Sequence, residues 1–296
     1  MKKGVILSFI TAVISGCSIF ANALFVSKTD PLIFSFVRNA AVAIIATALL
    51  LAVGQIKSLT LLTKRQWGLL VAIGAVGGGI PFALFFMGLS KIGAVNGNII
   101  QKTLFLWVAV LALPFLHEKL SKVQVIAYAS LFIGLFVFGG TAHVAWKSGT
   151  WFVLGATVLW AIENVIAKVT LKTVHPTVVC WGRMVFGLPF LAVATIATGK
   201  LGLLAAPSSY AVTPLIVSSA FLTIYMLTWY NALSLAPATL VSSILVFAPV
   251  VTALLGQILL RKAIVGQQIT NIVLLSFGTT CLILERLLPK KRGMPI

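Results

Sequence analysis

Long runs of apolar residues, separated by short polar connections, make up almost the whole chain. A helix needs about 20 apolar residues to cross the hydrocarbon core of a bilayer, and ten such runs can be placed. The pattern predicts an all-α, polytopic membrane protein with ten transmembrane helices, numbered here as spans 1 to 10. The predicted spans are Gly4–Val26, Leu32–Val53, Trp67–Leu89, Ala94–Leu116, Val123–Gly140, Gly149–Leu171, Val178–Ala197, Tyr210–Leu233, Ala238–Leu260 and Gly266–Leu288.

Composition and charge agree with this interpretation. The chain is 60% hydrophobic and 9% charged, with a mean hydropathy of +1.13, whereas soluble domains are roughly half apolar. A net charge of +18 would suggest nucleic acid in a soluble protein, but here most of the Lys and Arg residues lie in loops. Their excess on the side of the N-terminus predicts that both termini are cytoplasmic. The expected location is the plasma (inner) membrane, with the lipid bilayer and no nucleic acid as partner.

The two halves of the sequence are related. An offset of 145 residues lays Gly4 on Gly149, Pro31 on Pro176 and Arg38 on Arg183; after a one-residue deletion, LSKIGAV at 89–95 lies on LSLAPAT at 233–239. Each half holds five spans, an odd number, so the second copy enters the membrane from the opposite side. Residues 1–145 and 146–296 are therefore predicted to be inverted five-helix repeats, as in secondary transporters whose substrate sites lie between the repeats.

Several motifs carry a family resemblance. LWAIEN in span 6, a Pro-then-Arg pattern opening spans 2 and 7, PATLVSSILVFAPVVTALL in span 9 and FLHEKLS after span 4 resemble the EamA branch of the drug/metabolite transporter (DMT) superfamily. The resemblance implies a central cavity lined chiefly by spans 1, 3, 4, 6, 8 and 9, and the export of amino acids or other small metabolites. Phe105 stands where span 4 of the family usually has a proline, which argues against a hinge symmetric with Pro249.

Span 4 carries a charge near the bilayer centre. Asn98, Gln101, Lys102 and Phe105 are spaced i, i+3, i+4, i+7 and share one helix face. An ammonium at this depth is costly and marks a functional site by default. We expect the stripe to form a cavity wall on which Lys102 binds a carboxylate or phosphate of the substrate. The alternative is a buried ion pair with Glu163.

Glu163 is the only acidic residue deep within a predicted span. It shares a helix face with Trp160 and Asn164, and the repeat offset places it opposite Ser18 of span 1. A substrate contact, an ion pair and proton coupling are all open for this residue, because desolvation favours its neutral form and a nearby cation its charged form. A second deep acid is missing from the sequence, so proton-independent exchange or facilitated efflux is an alternative.

Two arginines, Arg38 and Arg183, occupy equivalent positions about seven residues into their spans. They are expected to be structural charges that reach the headgroups or cap neighbouring helix ends, with contact to the substrate as the alternative. Gly77-Gly78-Gly79 and the following Pro81 are expected to break span 3. Such a break frees backbone groups that can bind a substrate.

Further polar and aromatic residues are candidates for the cavity wall. Asn22 and Ser18 lie at i, i+4 on span 1, where they either face the cavity or join helices. Trp229 and Tyr230 of span 8 either cradle a substrate side chain or belong to the core.

The sequence thus predicts a monomeric secondary transporter that exports a small zwitterionic or anionic metabolite, such as an amino acid, by alternating access. Facilitated exchange, uniport and lipid-headgroup transport on the same helices are the alternatives. An intramembrane enzyme is disfavoured, since the spans lack a nucleophile with a base or paired acids. No cofactor, metal ion or catalytic residue is expected.

Overall fold

The computed structural model describes residues 1–25, 30–139, 148–205, 212–261 and 266–288. Over these ranges the protein is all-helical, with nine apolar helices long enough to cross a bilayer and one shorter apolar helix, starting at Lys122, in the place of span 5. The predicted fold class is confirmed. The predicted span ends at Val26, Gly140 and Tyr210 lie outside the described residues.

Most spans are single helices, and three are interrupted. The uninterrupted spans 1, 2, 5, 6, 7, 8 and 10 are Lys2–Phe25, Pro31–Ala52, Lys122–Gly139, Ser148–Thr170, Pro176–Ala197, Val212–Leu235 and Gly266–Leu287. Span 3 consists of the helix Lys64–Ile73, a π-helical turn at Gly74–Gly79 and the first part of the helix Ile80–Lys102. This last helix kinks at Gly93, and its second part begins span 4. The helix Leu104–Phe115 completes span 4. Span 9 consists of Ala238–Ile244, a 3₁₀ turn at Leu245–Phe247 and Ala248–Leu260. Two short helices, Ile56–Thr60 and Leu201–Ala205, lie in connections.

The repeat is visible in how spans 2 and 7 begin and end. Span 2 starts with Pro31 behind the capping residue Asp30, whose carboxylate accepts hydrogen bonds from two backbone N–H groups of the first turn. Span 7 starts with Pro176 in the equivalent position. Both helices are followed by a glycine with positive φ, Gly54 at +70° and Gly199 at +69°, a conformation that side chains disfavour. The same local chemistry therefore delimits both copies.

The two halves interlock. Span 1 packs against span 8 and span 6 against span 3, which are equivalent contacts under the repeat. Span 2 packs against span 7, and span 5 against span 10, so each of these pairs brings a span against its own counterpart. This pattern is the one produced by a pseudo-two-fold axis between the halves, and it places the core of the protein between the repeats.

Equivalent helices run in opposite directions. Gly4, at the start of span 1, lies against Ala236 after the end of span 8, and Lys168, near the end of span 6, donates to the Ala236 carbonyl. Span 6 therefore ends where span 1 begins, which we call the N-terminal end of the bundle. The first turn of span 6, at Gly149, lies against Lys91 at the opposite end of the bundle. The inverted topology predicted from the odd number of spans is confirmed.

The crossing of spans 5 and 10 is self-complementary. Gly134 of span 5 faces Leu275 of span 10, and the equivalent Gly278 faces Leu131. Glycine lets the two backbones approach closely, as in other helix contacts within membranes. Each contact across the axis is therefore made twice, once by each copy.

Candidate functional site

A cavity of about 250 Å³ lies between the two halves, far more than the roughly 30 Å³ that one water molecule takes. Spans 1 to 4 and 6 to 9 contribute to its wall. The lining residues are Ser15, Ser18, Ile19, Arg38, Phe82, Gln101, Lys102, Leu104, Phe105, Trp160, Glu163, Asn164, Arg183, Leu222, Tyr225, Met226, Trp229, Ser242, Leu245 and Val246.

The wall follows the repeat. Under the offset of 145 residues, the span 1 residues Ser15, Ser18 and Ile19 are the counterparts of Trp160, Glu163 and Asn164 in span 6, and Arg38 is the counterpart of Arg183. Under the offset of 144 residues, Gln101 and Lys102 correspond to Leu245 and Val246. The cavity therefore straddles the pseudo-two-fold axis, but its two sides differ in charge.

A buried charge cluster forms the side contributed by the second repeat. Glu163 is only 1% exposed and Arg183 only 5%. Arg183 Nη1 lies 3.5 Å from Glu163 Oε2 and 3.3 Å from the Tyr230 hydroxyl, which donates to Glu163 Oε1 at 2.6 Å. The carboxylate and guanidinium compensate one another in a setting where either charge by itself would be costly.

This ion pair differs from both expectations for its members. The alternative of a buried ion pair predicted that Glu163 would pair with Lys102, but in the structure Glu163 pairs with Arg183. Arg183 was expected to be a structural charge that reaches the headgroups or caps a neighbouring helix end; its side chain lies on the cavity wall, as does that of Arg38. Glu163 is seven residues from the end of span 6 and Arg183 seven residues from the start of span 7. This equal depth on consecutive antiparallel helices was the available signal.

The π-helical turn in span 3 supports the cluster. Within this turn, the Gly77 carbonyl accepts from Trp160 Nε1 and from Arg183 Nη2, both at 3.0 Å. Asn39 Nδ2 approaches the Gly78 carbonyl at 3.5 Å. The expected break in span 3 is present, but side chains of the protein, rather than a substrate, take up these two carbonyl groups.

A methyl group at Gly78 is expected to damage this arrangement. A Cβ there would overlap the carbonyl oxygen of Arg183 and press on Gly187, so Gly78→Ala should destabilise the protein by about 1–3 kcal/mol, as overpacking does. Thermal unfolding in detergent measures the loss. The matched control is Gly155→Ala in span 6, where the nearest atom would be Leu84 Cδ1 at 3.9 Å; equal melting temperatures for the two variants would contradict the tight contact.

The side contributed by the first repeat carries two cations without a carboxylate. Arg38 makes one long hydrogen bond, 3.5 Å from Nη2 to Asn39 Oδ1, and its guanidinium carbon lies 5.7 Å from the centre of the Phe82 ring. Its buried Nε has no partner among the residues that the structure describes. Lys102 makes no hydrogen bond or ion pair within the described residues, and its side chain is part of the cavity wall. A charge is therefore tolerated within span 4 because it borders a cavity.

Spans 4 and 9 are both interrupted beside the cavity. Regular helix stops at Lys102 and resumes at Leu104, while span 9 passes through the 3₁₀ turn at Leu245–Phe247. The Thr103 hydroxyl, at the interruption, donates to the Ile100 carbonyl and accepts from Trp107 Nε1. The irregularity is thus present in span 4 without the proline, at the position equivalent to the 3₁₀ turn of span 9.

The structure brings most of the predicted site residues together. Lys102, Gln101, Glu163, Asn164, Trp160, Ser18 and Trp229 line the cavity. Tyr230 lies one layer behind and holds Glu163. Asn98 is exposed and Asn22, 3.5 Å from the Ser18 hydroxyl, is not part of the wall. Sequence reasoning overlooked Ser15, Phe82, Tyr225, Met226 and Ser242; Ser15 could have been found as the counterpart of Trp160.

Charged side chains hold the N-terminal end of the bundle together. Glu118, after span 4, accepts from the backbone N–H groups of Ala238 and Thr239 at 2.7 and 3.0 Å, which caps span 9. Lys168 donates to the carbonyls of Leu233 and Ala236 at 2.6 and 2.7 Å, which caps span 8. These bonds join spans 4, 6, 8 and 9, four of the spans that form the cavity wall.

Loss of the Glu118 charge is expected to loosen this end. Hydrogen bonds to a charged acceptor contribute about 1.5–3 kcal/mol each, so Glu118→Gln should raise the reactivity of a cysteine placed at Ser242, in a variant with the three native cysteines replaced, toward a thiol reagent added from that side. Glu285→Gln is the control, because the ion partner of Glu285 in the described residues is its neighbour Arg286 and not another span. Unchanged labelling in Glu118→Gln would show that the cap does not control access.

A polar contact at the opposite end joins two connections. Lys200 Nζ lies 2.7 Å from Asp30 Oδ2. Partial burial by itself would raise the pKa of Asp30, but the bond from Lys200 and the backbone N–H groups of Ile33 and Leu32 lower it below its ordinary value. Asp30 is therefore committed to Lys200 and to the start of span 2.

Comparisons with known proteins agree with this architecture. The model of the EamA-like transporter family matches residues 2–140 and, a second time, residues 147–284. The curated proteins contain no match to the sequence. A solved structure described only as the crystal structure of a protein superposes with a TM-score of 0.77 at 17% identity, over 96% of this chain and 99% of that chain. At such low identity, that similarity concerns the fold alone.

Proposed function

We propose, from the premise that this chain belongs to the EamA-like transporter family, that it exports a small zwitterionic or anionic metabolite, such as an amino acid, across the plasma membrane. As a member of this family, the protein is a multi-pass membrane transporter of the DMT type. The observation that carries the finer proposal is the cavity between the inverted halves, whose wall includes Lys102, an ammonium without a partner in the described part of the chain. Such a group offers a binding point for a carboxylate within a low-dielectric interior.

The proposed mechanism is alternating access. Inverted repeats can exchange conformations about a central site, so the site opens first to one side and then to the other. The interruptions at Lys102–Leu104 and at Leu245–Phe247 divide spans 4 and 9 beside the cavity, which allows each half-helix to move while the other stays packed. Gln101 and Asn164 would orient the substrate, with Trp160 and Trp229 as its apolar walls.

The proposed orientation places the N-terminal end in the cytoplasm, in accordance with the positive-inside rule. The end held by Glu118 and Lys168 would then be the cytoplasmic gate, and its opening would admit the metabolite. Export follows from this arrangement if uptake into the cavity occurs from the cytoplasm and the opposite end releases the substrate.

Proton coupling through Glu163 is the less favoured form of the proposal. The carboxylate is already engaged by Arg183 and Tyr230, and protonation would leave the guanidinium uncompensated. Facilitated exchange or uniport, with Glu163 as a fixed partner of Arg183, requires no such cost. The ion pair therefore favours a carrier driven by substrate gradients.

Flux through purified protein in proteoliposomes tests the proposal. Saturable counterflow of a labelled amino acid or organic acid, insensitive to a pH gradient, is the expected result. A current proportional to voltage would instead indicate a channel, movement of labelled headgroups a lipid transporter, and dependence on the pH gradient a proton-coupled carrier. Empty liposomes and liposomes with Lys102→Ala protein are the controls.

A further inference from the structure

All four acidic residues of the chain have partners. Asp30 is held by Lys200, Glu118 by the start of span 9, Glu163 by Arg183 and Glu285 by Arg286. All four lie within the described residues, so no side-chain carboxylate remains for Arg38 or Lys102. The negative charge that these two cavity cations lack must come from outside the set of acidic side chains.

The pseudo-symmetry shows where such a charge would lie. Glu163 and Arg183 are 20 residues apart, and Ser18 and Arg38, their counterparts, have the same separation. Ser18 therefore stands where the second repeat has its carboxylate. Arg183 has the carboxylate, a tyrosine hydroxyl and a backbone carbonyl as acceptors, whereas Arg38 has, among the described residues, one distant amide oxygen. The Nε atoms of both arginines are buried without a partner there.

We propose that the carboxylate of the substrate binds Arg38 beside Ser18, in the position that Glu163 occupies relative to Arg183. The guanidinium fork matches a carboxylate in shape and can donate two parallel hydrogen bonds. The Ser18 hydroxyl lines the same cavity and supplies a further donor. The assignment rests on the proposed function in that it takes the cavity to be the transport site.

The charges of the cavity also select the class of substrate. Arg38, Lys102 and Arg183 are positive and only Glu163 is negative, so the wall has an uncompensated positive charge. A zwitterion would leave that charge unchanged and would bring an ammonium group that no free carboxylate accepts. An organic acid with net negative charge, such as a dicarboxylate or an acidic amino acid, neutralises the wall, with Arg38 and Lys102 each binding one anionic group.

The missing carboxylate can be supplied by mutation. Ser18→Glu should place an internal carboxylate beside Arg38 and raise the melting temperature by at least about 3 °C over the uncharged control Ser18→Gln, a shift typical of one added favourable interaction in a domain of this size. In a background with Arg38→Gln, the same Glu should lower the melting temperature, because it is then buried without a partner. An equal melting temperature for Ser18→Glu and Ser18→Gln would overturn the assignment.

A ligand experiment covers the case in which Ser18→Glu does not fold. Sodium succinate, compared with sodium chloride at equal ionic strength, should stabilise the wild-type protein more than alanine does. Arg38→Gln should abolish most of this shift, because the stabilisation depends on the affinity of the ligand for the folded protein. Equal stabilisation by alanine, no shift with succinate, or a shift preserved in Arg38→Gln would contradict the anion site. Counterflow without these effects would refute the anion site at Arg38 but support the proposed transport function. These effects without any flux would support the anion site but refute the proposed transport function.

Discussion

Replacing Glu163 with alanine is expected to destabilise the protein by about 3–5 kcal/mol, the cost typical of breaking a buried ion pair by removing one partner. The variant leaves Arg183, which is 5% exposed, without its carboxylate. It also removes the acceptor of the Tyr230 hydroxyl. Thermal unfolding in detergent should show a clear fall in melting temperature.

The double variant Glu163→Ala/Arg183→Met separates this explanation from a simple packing defect. Removing both charges takes away the uncompensated guanidinium, so a large part of the lost stability should return. A double variant as unstable as the sum of its single variants would show that the two side chains do not act as a pair. Glu163→Gln, which removes the charge but keeps an acceptor for the Tyr230 hydroxyl, should lose stability, but less than Glu163→Ala.

Replacing Lys102 with alanine is expected to abolish transport while the protein stays folded. The ammonium has no partner within the described residues and borders the cavity, so its removal takes away a substrate contact without breaking an internal bond. An unpaired charge costs free energy when it is buried, and the melting temperature should therefore stay the same or rise. Initial counterflow rates and thermal unfolding of the same preparation provide both measurements.

Two further variants define the role of Lys102. Lys102→Arg keeps the charge and should retain part of the flux, whereas Lys57→Ala removes an exposed lysine from a connection and should have no effect. Substrate affinity and turnover at the wild-type level in Lys102→Ala would refute the role of Lys102 as a substrate contact. The difference expected in stability, a loss with Glu163→Ala and no loss with Lys102→Ala, distinguishes a structural charge from a substrate-binding charge.

The sequence predicted the fold because one physical constraint dominates it. A chain in lipid must satisfy its backbone hydrogen bonds within helices or a closed barrel. Apolar runs of about 20 residues have the length of a spanning helix, so they mark the spans directly. The repeat then fixed the inverted topology through an odd number of spans. The weaker predictions concerned helix breaks: span 4 is interrupted at Thr103 without a proline, since backbone irregularity depends on packing as well as on residue type.

The site was predictable along each helix but not between helices. Helical spacing correctly grouped Trp160, Glu163 and Asn164 on one face, all of which line the cavity. Spacing does not tell how far a cavity extends along that face, which is why the exposed Asn98 was included. It also does not tell which long side chains meet across two spans, and the pair formed by Arg183 and Glu163 depends on that geometry.

The reciprocal glycine and leucine contacts of spans 5 and 10 bear on the ancestry of the chain. An interface that uses the same patch on both partners is the kind found in two-fold homodimers, so an unfused five-helix ancestor could have associated through this face as two antiparallel copies. Gene fusion would then have required no new contact surface. After fusion the two repeats could differ in sequence, so that one copy has an acid at position 163 and the other has serine at the equivalent position 18.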